Sequence, residues 1–155
     1  MELAYKKTTL DDLDELVNMR IKVLRTANEL PVCADMSLVE TEARHYYQRS
    51  LQEDAHVAYL VYDKDAVIGA GGVSFYQVMP TYCNPSGKKA YLMNLYTEPD
   101  YRRKGIAWQT LDLLVKEAQS RGIDFIALET TKMGRPLYEK YGFIPMQDEM
   151  ILPKR

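Results

Sequence analysis

The sequence is poor in the residues that mark secreted, metal-binding or membrane proteins. It has two cysteines, Cys33 and Cys83, and neither lies in a CxxC pair or near a histidine at metal-ligand spacing. Isolated thiols are typical of a reducing compartment. The chain opens without a basic and apolar leader, and no apolar run approaches the roughly 18 residues that a membrane span needs. We therefore expect a cytoplasmic protein without a metal and without membrane contact.

A large excess of charge of either sign is also missing. The chain has 20 Lys and Arg against 22 Asp and Glu, which gives a formal net charge of −2. Without a broad basic field, nucleic acid is not an expected partner. The densest basic run is local and covers Arg102, Arg103 and Lys104. At 155 residues the chain has the length of one domain, and we predict a single domain over residues 1–155.

Hydrophobic periodicity predicts the order β-α-α-β-β-β-α-β-α-β. Helix starts are indicated where Thr9 precedes Asp12 and where Ser37 precedes Glu40 by three residues, the spacing of a capping box. The expected strands cover residues 3–7, 56–62, 66–77, 90–97, 124–131 and one or two segments of the tail 143–152, and the later helices cover 37–52, 107–121 and 136–141. This order predicts a mixed sheet with packed helices, in which a long helix joins two parallel strands, 90–97 and 124–131.

The turn before that long helix has the composition of an anion site. The first N–H groups of a helix have no intrahelical acceptor and carry partial positive charge. Gly105 has no side chain and Ala107 a minimal one, so a phosphate could approach the main chain beside the basic run of residues 102–104. The alternative is a solvated basic loop with a packing glycine. A Walker loop is excluded because no glycine stands five residues before a Gly-Lys-Ser or Gly-Lys-Thr triplet.

Two motifs carry a family resemblance. The run RRKGIA (102–107) resembles the R/Q-x-x-G-x-G/A motif of the GNAT (GCN5-related) N-acetyltransferases, and it likewise follows a strand and opens a helix. The run GRPLYEKYGF (134–143) resembles the closing helix of the same family. Because the first strand and two helices also match in order, the resemblance covers essentially the whole chain. It implies an α/β (α+β) fold with a mixed, mostly antiparallel central sheet flanked by helices and a β-α-β cofactor unit.

The resemblance implies acetyl-CoA as the acetyl donor. Family members hold the pyrophosphate with main-chain amides of the motif and hold the pantetheine arm along the edge of the preceding strand. The residues that correspond to these cofactor contacts are Leu95, Tyr96, Thr97, Arg102, Arg103, Lys104, Gly105, Ile106, Ala107 and Trp108.

Acetyl transfer to an amine needs a base, a donor to the carbonyl oxygen and an acid for the leaving thiolate. The resemblance implies Tyr138 as the acid, the amide near Leu95 as the oxyanion donor and Glu129 as a candidate base. Asn94 is a further candidate that could orient a water molecule or polarise a substrate. Some members carry a glutamate where this chain has Tyr91, so that variant of the mechanism is not expected here. We expect both histidines, His45 and His56, to be surface residues.

The acceptor is predicted to be a small-molecule primary amine. The alternatives are a protein N-terminus or lysine, a CoA-binding module without catalysis, and an interaction domain that shares the fold. In the family the acceptor pocket corresponds to about residues 25–50 and 79–89, where carboxylates and aromatic rings would suit a cationic amine. These residues are Glu29, Asp35, Glu40, Glu42, Tyr46, Tyr47, Tyr82 and Cys83. The resemblance also allows a homodimer.

Overall fold

A computed structural model describes residues 1–154 and shows a five-stranded sheet covered on both faces by helices. The strands are β1 (Leu3–Lys7), β2 (His56–Asp63), β3 (Ala66–Gln77), β4 (Lys88–Thr97) and β5 (Phe125–Leu128). The helices are α1 (Leu13–Ala27), α2 (Ser37–Gln52), α3 (Ile106–Ser120) and α4 (Arg135–Tyr141). Short 3-10 turns, Leu10–Asp12 and Pro99–Tyr101, precede α1 and α3.

The sheet is mixed and mostly antiparallel, with the strands side by side in chain order. The pairs β1–β2, β2–β3 and β3–β4 are antiparallel, whereas β4 and β5 are parallel. Helix α3 joins β4 to β5, as parallel neighbours require a crossover. The predicted fold class and the predicted β-α-β unit are therefore confirmed.

Strand β2 shows why both faces of the sheet need a cover. Val57 and Tyr59 pack into a core with α3 residues such as Leu111 and Leu114. The alternate residues Ala58 and Leu60 pack into a second core with α1 and α2. Successive side chains of a strand point to opposite faces, so a strand that is apolar throughout needs helices on both sides. The sheet thus separates an α1–α2 face from an α3–α4 face.

The start of the first helical segment is confirmed, but the predicted capping box of α2 is wrong. Thr9 and Asp12 form the reciprocal capping box that the spacing predicted. Helix α2 has Met36 at its N-cap position, and no side chain caps it. Ser37 is already the first helical residue, and its N–H donates to Asp35 Oδ1 at 2.9 Å. Asp35 therefore supplies the acceptor that the sequence pattern had assigned to Ser37.

The prediction of a final strand is wrong, and β5 is shorter than expected. No strand lies among residues 143–154, and β5 ends at Leu128 rather than at residue 131. Pro145 has no N–H to donate to a ladder, and the adjacent acidic pair Asp148 and Glu149 disfavours a strand. Ile151 and Leu152 are 88% and 87% exposed, so the apolar residues at this end do not join the core.

Candidate active site

The turn from β4 to α3 has a strained backbone. Gly105 caps α3 with a φ of 80° and Arg103 has a φ of 61°, both in the left-handed region. Glycine adopts this conformation without a steric penalty, but for arginine it costs about 1–2 kcal/mol. Such strain persists where the surrounding structure imposes it, and it is common at ligand sites.

This turn exposes a row of free amide donors. The N–H groups of residues 103–108 have no hydrogen-bond acceptor within residues 1–154. The first turn of α3 has no acidic side chain and no side-chain cap. A Cβ built on Gly105 would meet no heavy atom within 4 Å, so the space above the glycine is open. Free N–H groups at a helix start with open space in front fit a phosphate or pyrophosphate.

The three basic residues of the turn differ in their surroundings. Arg102 is partly buried, and its Nε donates to the carbonyl oxygen of Thr97 at 3.0 Å, which ties the turn to the end of β4. Arg103 and Lys104 are exposed, and Lys104 Nζ lies 5.5 Å from the centre of the Tyr101 ring. Arg102 therefore shapes the turn, while the other two place positive charge around it.

Strand β4 changes its pairing at Asn94. Residues up to Leu92 pair with β5, and no residue after Leu92 does. At the same point the register with β3 shifts, so that Asn94 and Leu95 lie opposite Gly71 alone. Asn94 has a φ of 63°, as expected for the extra residue of a bulge. The bulge leaves the β5-facing edge of residues 95–97 without a ladder partner.

A buried polar atom marks the end of this open edge. Thr97 is 8% exposed, and its hydroxyl oxygen has no hydrogen-bond partner within residues 1–154. A buried hydroxyl without a partner is costly and rare in proteins. Thr97 is the last residue of β4, where the open edge meets the chain that leads to the amide-rich turn.

Tyr138 lies in α4, on the α3–α4 face. Its ring packs on the core of that face and lies 6.0 Å from the Phe143 ring, in an edge-on arrangement. Gly134 makes room for it, since a Cβ there would lie 3.2 Å from Tyr138 Cε2. Burial raises the pKa of Tyr138 above its usual value, so the phenol keeps its proton at neutral pH.

Glu129 follows β5 directly and is exposed. Its carboxylate lies beside the Tyr91 phenol. Burial, together with the negative charge of Glu129, raises the pKa of Tyr91 to about 12. Tyr91 stands where some family members carry a glutamate, and it lies beside Glu129, the residue that the sequence proposed as a base. The two positions are neighbours in space.

The expectation that both histidines are surface residues is wrong for His56. His45 is exposed, but His56 is 6% exposed. Its Nδ1 lies 3.0 Å from the Tyr46 hydroxyl and 3.1 Å from Ser74 Oγ. Burial, with a smaller effect of the Arg20 charge, lowers the pKa of His56 to about 4, so the imidazole is neutral at physiological pH. The signal in the sequence that could have indicated this burial is that His56 is the first residue of an apolar strand.

The carboxylates predicted for an acceptor pocket form no buried cluster. Glu29, Asp35, Glu40 and Glu42 are all exposed, and so are Tyr82 and Cys83. Tyr46 and Tyr47 do turn inward, where they pack on the α1–α2 core. A charged residue that the sequence analysis missed, Arg20 of α1, reaches the site instead, and its Nη1 donates to Asn94 Oδ1 at 3.3 Å. No sequence motif marked this arginine.

A groove lies at the free edge of β5, away from the amide-rich turn. It measures about 670 Å³ and is lined by β5, α4 and the tail. Tyr138 is the one predicted site residue that lines it. Within residues 1–154 no three His, Cys, Asp or Glu side chains cluster as metal ligands. Over the same residues, none of the helices is long and apolar enough to cross a membrane.

Comparison with known proteins identifies the family. The model of the acetyltransferase (GNAT) family matches residues 24–143, which include the open edge of β4, the amide-rich turn and α4. The chain belongs to the GNAT acetyltransferase family. The protein in a crystal structure of a predicted acetyltransferase with acetyl-CoA, from Clostridium acetobutylicum, is 33% identical, with a TM-score of 0.90 over 98% of this chain and 96% of that chain.

Two further relatives agree with this assignment. A GCN5-related N-acetyltransferase from Ralstonia eutropha JMP134 is 25% identical, with a TM-score of 0.84 over 99% of both chains. The uncharacterized N-acetyltransferase YsnE of Bacillus subtilis (strain 168) is 37% identical over 57 residues, which are 34% of this chain and 38% of YsnE. This chain therefore covers well under half of that curated relative.

Proposed function

We propose that the protein transfers an acetyl group from acetyl-CoA to a primary amine of a small molecule. The observation that carries the proposal is the row of free N–H groups of residues 103–108 in front of the open space at Gly105. The crystal structure of the relative from Clostridium acetobutylicum with acetyl-CoA supports the choice of donor. A diphosphate carries more negative charge than a carboxylate, so such a turn should bind the diphosphate more strongly.

The chain supplies distinct groups to the donor. The amides of residues 103–108 bind the diphosphate, with Arg103 and Lys104 adding positive charge. The open edge of residues 95–97 offers main-chain donors and acceptors to the pantetheine amides, as an edge strand does to an added strand. Trp108 and Ile106 contribute through their amides at the helix start.

Acetyl-CoA supplies an activated thioester. The chain positions this thioester, accepts one proton from the amine and donates one to the thiolate. A carbon–nitrogen bond forms as the carbon–sulfur bond breaks, the amine loses one proton and the thiolate gains one. The amide near Leu95, at the bulge, is the proposed donor to the carbonyl oxygen. Tyr138 holds the proton for the thiolate, since its pKa is raised by burial. Glu129 is the proposed base, and Asn94 orients the acceptor.

The decisive test is calorimetric titration of acetyl-CoA into the wild type and a Gly105→Glu variant. The new side chain would bring bulk and negative charge to the amide-rich turn. We expect binding to weaken by roughly two orders of magnitude, about 2.7 kcal/mol. Gly122→Glu is a matched control, because Gly122 ends the same helix, has a φ of 72° and also has open space around its Cβ position.

The outcomes separate the candidate functions. Binding lost in Gly105→Glu and retained in Gly122→Glu supports the proposed turn. A folded wild type that does not bind acetyl-CoA contradicts the acetyltransferase proposal and leaves an interaction domain. Acetyl-CoA binding without thiol release against any amine, peptide N-terminus or lysine would instead indicate a CoA-binding module.

We further propose a reducing, cytoplasmic setting for this reaction. Cys33 and Cys83 are both exposed and form no disulfide. Exposed thiols persist where glutathione keeps them reduced. Labelling of both thiols in protein from an unstressed cell lysate would support this setting, and a mixed disulfide on either cysteine would speak against it.

A further inference from the structure

Arg20 occupies a central place on the α1–α2 face of the sheet. It lies on α1, is partly buried, and its Nη1 donates to the Asn94 side-chain oxygen at 3.3 Å. Asn94 is the bulge residue at which β4 and β5 part. The guanidinium therefore lies at the point where, on the proposed function, an acceptor amine has to meet the acetyl group.

This cation has no anionic partner within residues 1–154. Three other arginines lie against carboxylates: Arg44 against Asp14 at 2.7 Å, Arg121 against Asp54 at 2.8 Å, and Arg135 against Glu139 at 2.6 Å. No Asp or Glu oxygen of the described residues lies within 4 Å of Arg20. A guanidinium has five N–H donors, and Asn94 accepts one hydrogen bond from it. Removing such a charge from water without a counter-ion is costly.

The neighbours of Arg20 do not neutralise it. Its charge acts on the buried side chains of His56 and Tyr47. His56 is neutral, because burial and then the Arg20 charge lower its pKa to about 4. Burial raises the pKa of Tyr47 to about 12, so its phenol is neutral as well. Glu29, Asp35, Glu40 and Glu42 are exposed, and none of them lies within 4 Å of Arg20.

We propose that Arg20 binds an oxyanion carried by the acceptor, so that the substrate is an amine with a carboxylate or phosphate group. The inference rests on the proposed function and adds the class of acceptor. A planar guanidinium pairs with either group through two parallel hydrogen bonds, which fixes the orientation as well as the charge of the ligand. The diphosphate of the donor is bound elsewhere, at the turn of residues 103–108.

Arg20 is therefore a specificity-determining residue and not an acid or base. A binding site for an oxyanion at Arg20 differs from the pocket for a cationic amine that the carboxylates of the sequence had suggested. The Asn94 side chain holds the guanidinium at the bulge and leaves most of its donors free for the ligand. Tyr46 and Tyr47, on α2, provide an aromatic wall on the same face.

The test compares amines that differ by one anionic group. Thiol release would be measured with L-tyrosine against tyramine, L-lysine against cadaverine, and glucosamine 6-phosphate against glucosamine. We expect kcat/KM to be at least roughly tenfold higher for the anionic member of one or more pairs, as a charged hydrogen bond provides. The carboxylate pairs and the phosphate pair separate the two sources of the oxyanion.

Two variants then test Arg20 itself. Arg20→Gln should raise the KM of the amine that carries a carboxylate or phosphate by roughly 10- to 100-fold. The KM of its counterpart without that group should remain almost unchanged. Arg20→Lys should recover part of the loss, because lysine keeps the charge but not the paired geometry. The matched control is Lys22→Gln, which removes one positive charge from the same helix at a half-exposed side chain paired with Glu98. It should retain the preference for the anionic member.

Several results would overturn the inference while leaving the proposed function standing. One is an equal kcat/KM for the two members of every pair. Another is thiol release only with the amines that lack a carboxylate or phosphate. The third is an Arg20→Gln variant that slows the reaction of both members alike. The last of these would show a structural role. Acetyl-CoA titration of the same proteins monitors the proposed function separately, because Arg20→Gln should bind the donor with unchanged affinity. A wild type that fails to bind acetyl-CoA removes the proposed function and this inference together.

Discussion

The rings of Trp108 and Tyr141 lie 5.0 Å apart, centre to centre, and connect the first turn of α3 to the end of α4. The Tyr141 hydroxyl also donates to Asp112 Oδ1 at 2.8 Å, one turn further along α3. Helix α4 is only seven residues long, and no β-sheet hydrogen bonds hold it in place. These two contacts therefore fix the helix that carries Tyr138 relative to the amide-rich turn.

Replacing Tyr141 by Phe should lower the free energy of unfolding by about 1 kcal/mol, the usual value of a hydrogen bond that is not fully buried. Burial, and then Asp112, raises the pKa of Tyr141 to about 12. The contribution of this hydroxyl is therefore complete below pH 10 and is lost between about pH 10 and 12. Urea denaturation at pH 7 measures the effect. Tyr82→Phe is the control, since Tyr82 is 99% exposed, and an equal loss there would contradict the assignment.

Replacing Tyr138 by Phe should lower kcat by roughly 10²- to 10⁴-fold and leave the acetyl-CoA dissociation constant unchanged. The reason is that the ring still packs against Gly134 while the donatable proton is gone. Because the pKa of Tyr138 is raised, the rate should show no loss from this group up to about pH 10. Unchanged kcat in the variant would mean that Tyr138 is a packing residue.

The stability of the protein should fall as the pH drops below about 6.5. His56 has a folded-state pKa of about 4, so in this range the unfolded chain binds a proton that the folded chain does not. The free energy of unfolding should decline by about 1.4 kcal/mol per pH unit between about pH 6 and pH 4.5 through this residue. The contribution is fully present above pH 6.5.

A pair of histidine variants isolates this effect. In the His56→Asn variant, the free energy of unfolding measured by urea denaturation should no longer show this decline between pH 7 and pH 5. His45→Asn is the matched control, because His45 is exposed, and it should retain the decline. A decline of equal size in both variants would locate the pH dependence in carboxylates instead.

Replacing Gly71 by Ala should destabilise the protein by about 1–3 kcal/mol through overpacking. A Cβ at Gly71 would lie 2.8 Å from Thr110 Cγ2, 3.0 Å from Leu114 Cδ1 and 3.1 Å from Leu95 Cδ1. Gly71 therefore allows α3 to approach the sheet opposite the bulge of β4. The midpoint of urea denaturation is the measurement.

Gly105→Ala is the comparison for this variant. It introduces a methyl group into open space, so its cost is limited to about 1 kcal/mol of left-handed backbone strain. A Gly71→Ala variant as stable as the wild type would show that α3 shifts freely against the sheet. In that case the bulge at Asn94 would not be held by packing.

The sequence determined most of the fold and the open, amide-rich turn at Gly105, which is the proposed anion site. Strand β2 is apolar at every position from Val57 to Val61, and a strand of that kind requires cover on both faces. Gly105 could be assigned to a phosphate turn because a helix start provides free N–H groups in any tertiary context. Local chemistry of this kind is readable from a few neighbouring residues.

Tertiary structure alone decided which polar side chains meet at the bulge of β4. Arg20 and Asn94 are 74 residues apart in the chain, and no spacing rule relates them. Their contact depends on the bulge in β4 and on the packing of α1 against the sheet. His56 was misjudged for the same reason, since its burial depends on Tyr46 and Ser74 in two other elements. The tail was also misjudged, because strand formation requires a partner edge, and periodicity describes only the segment itself.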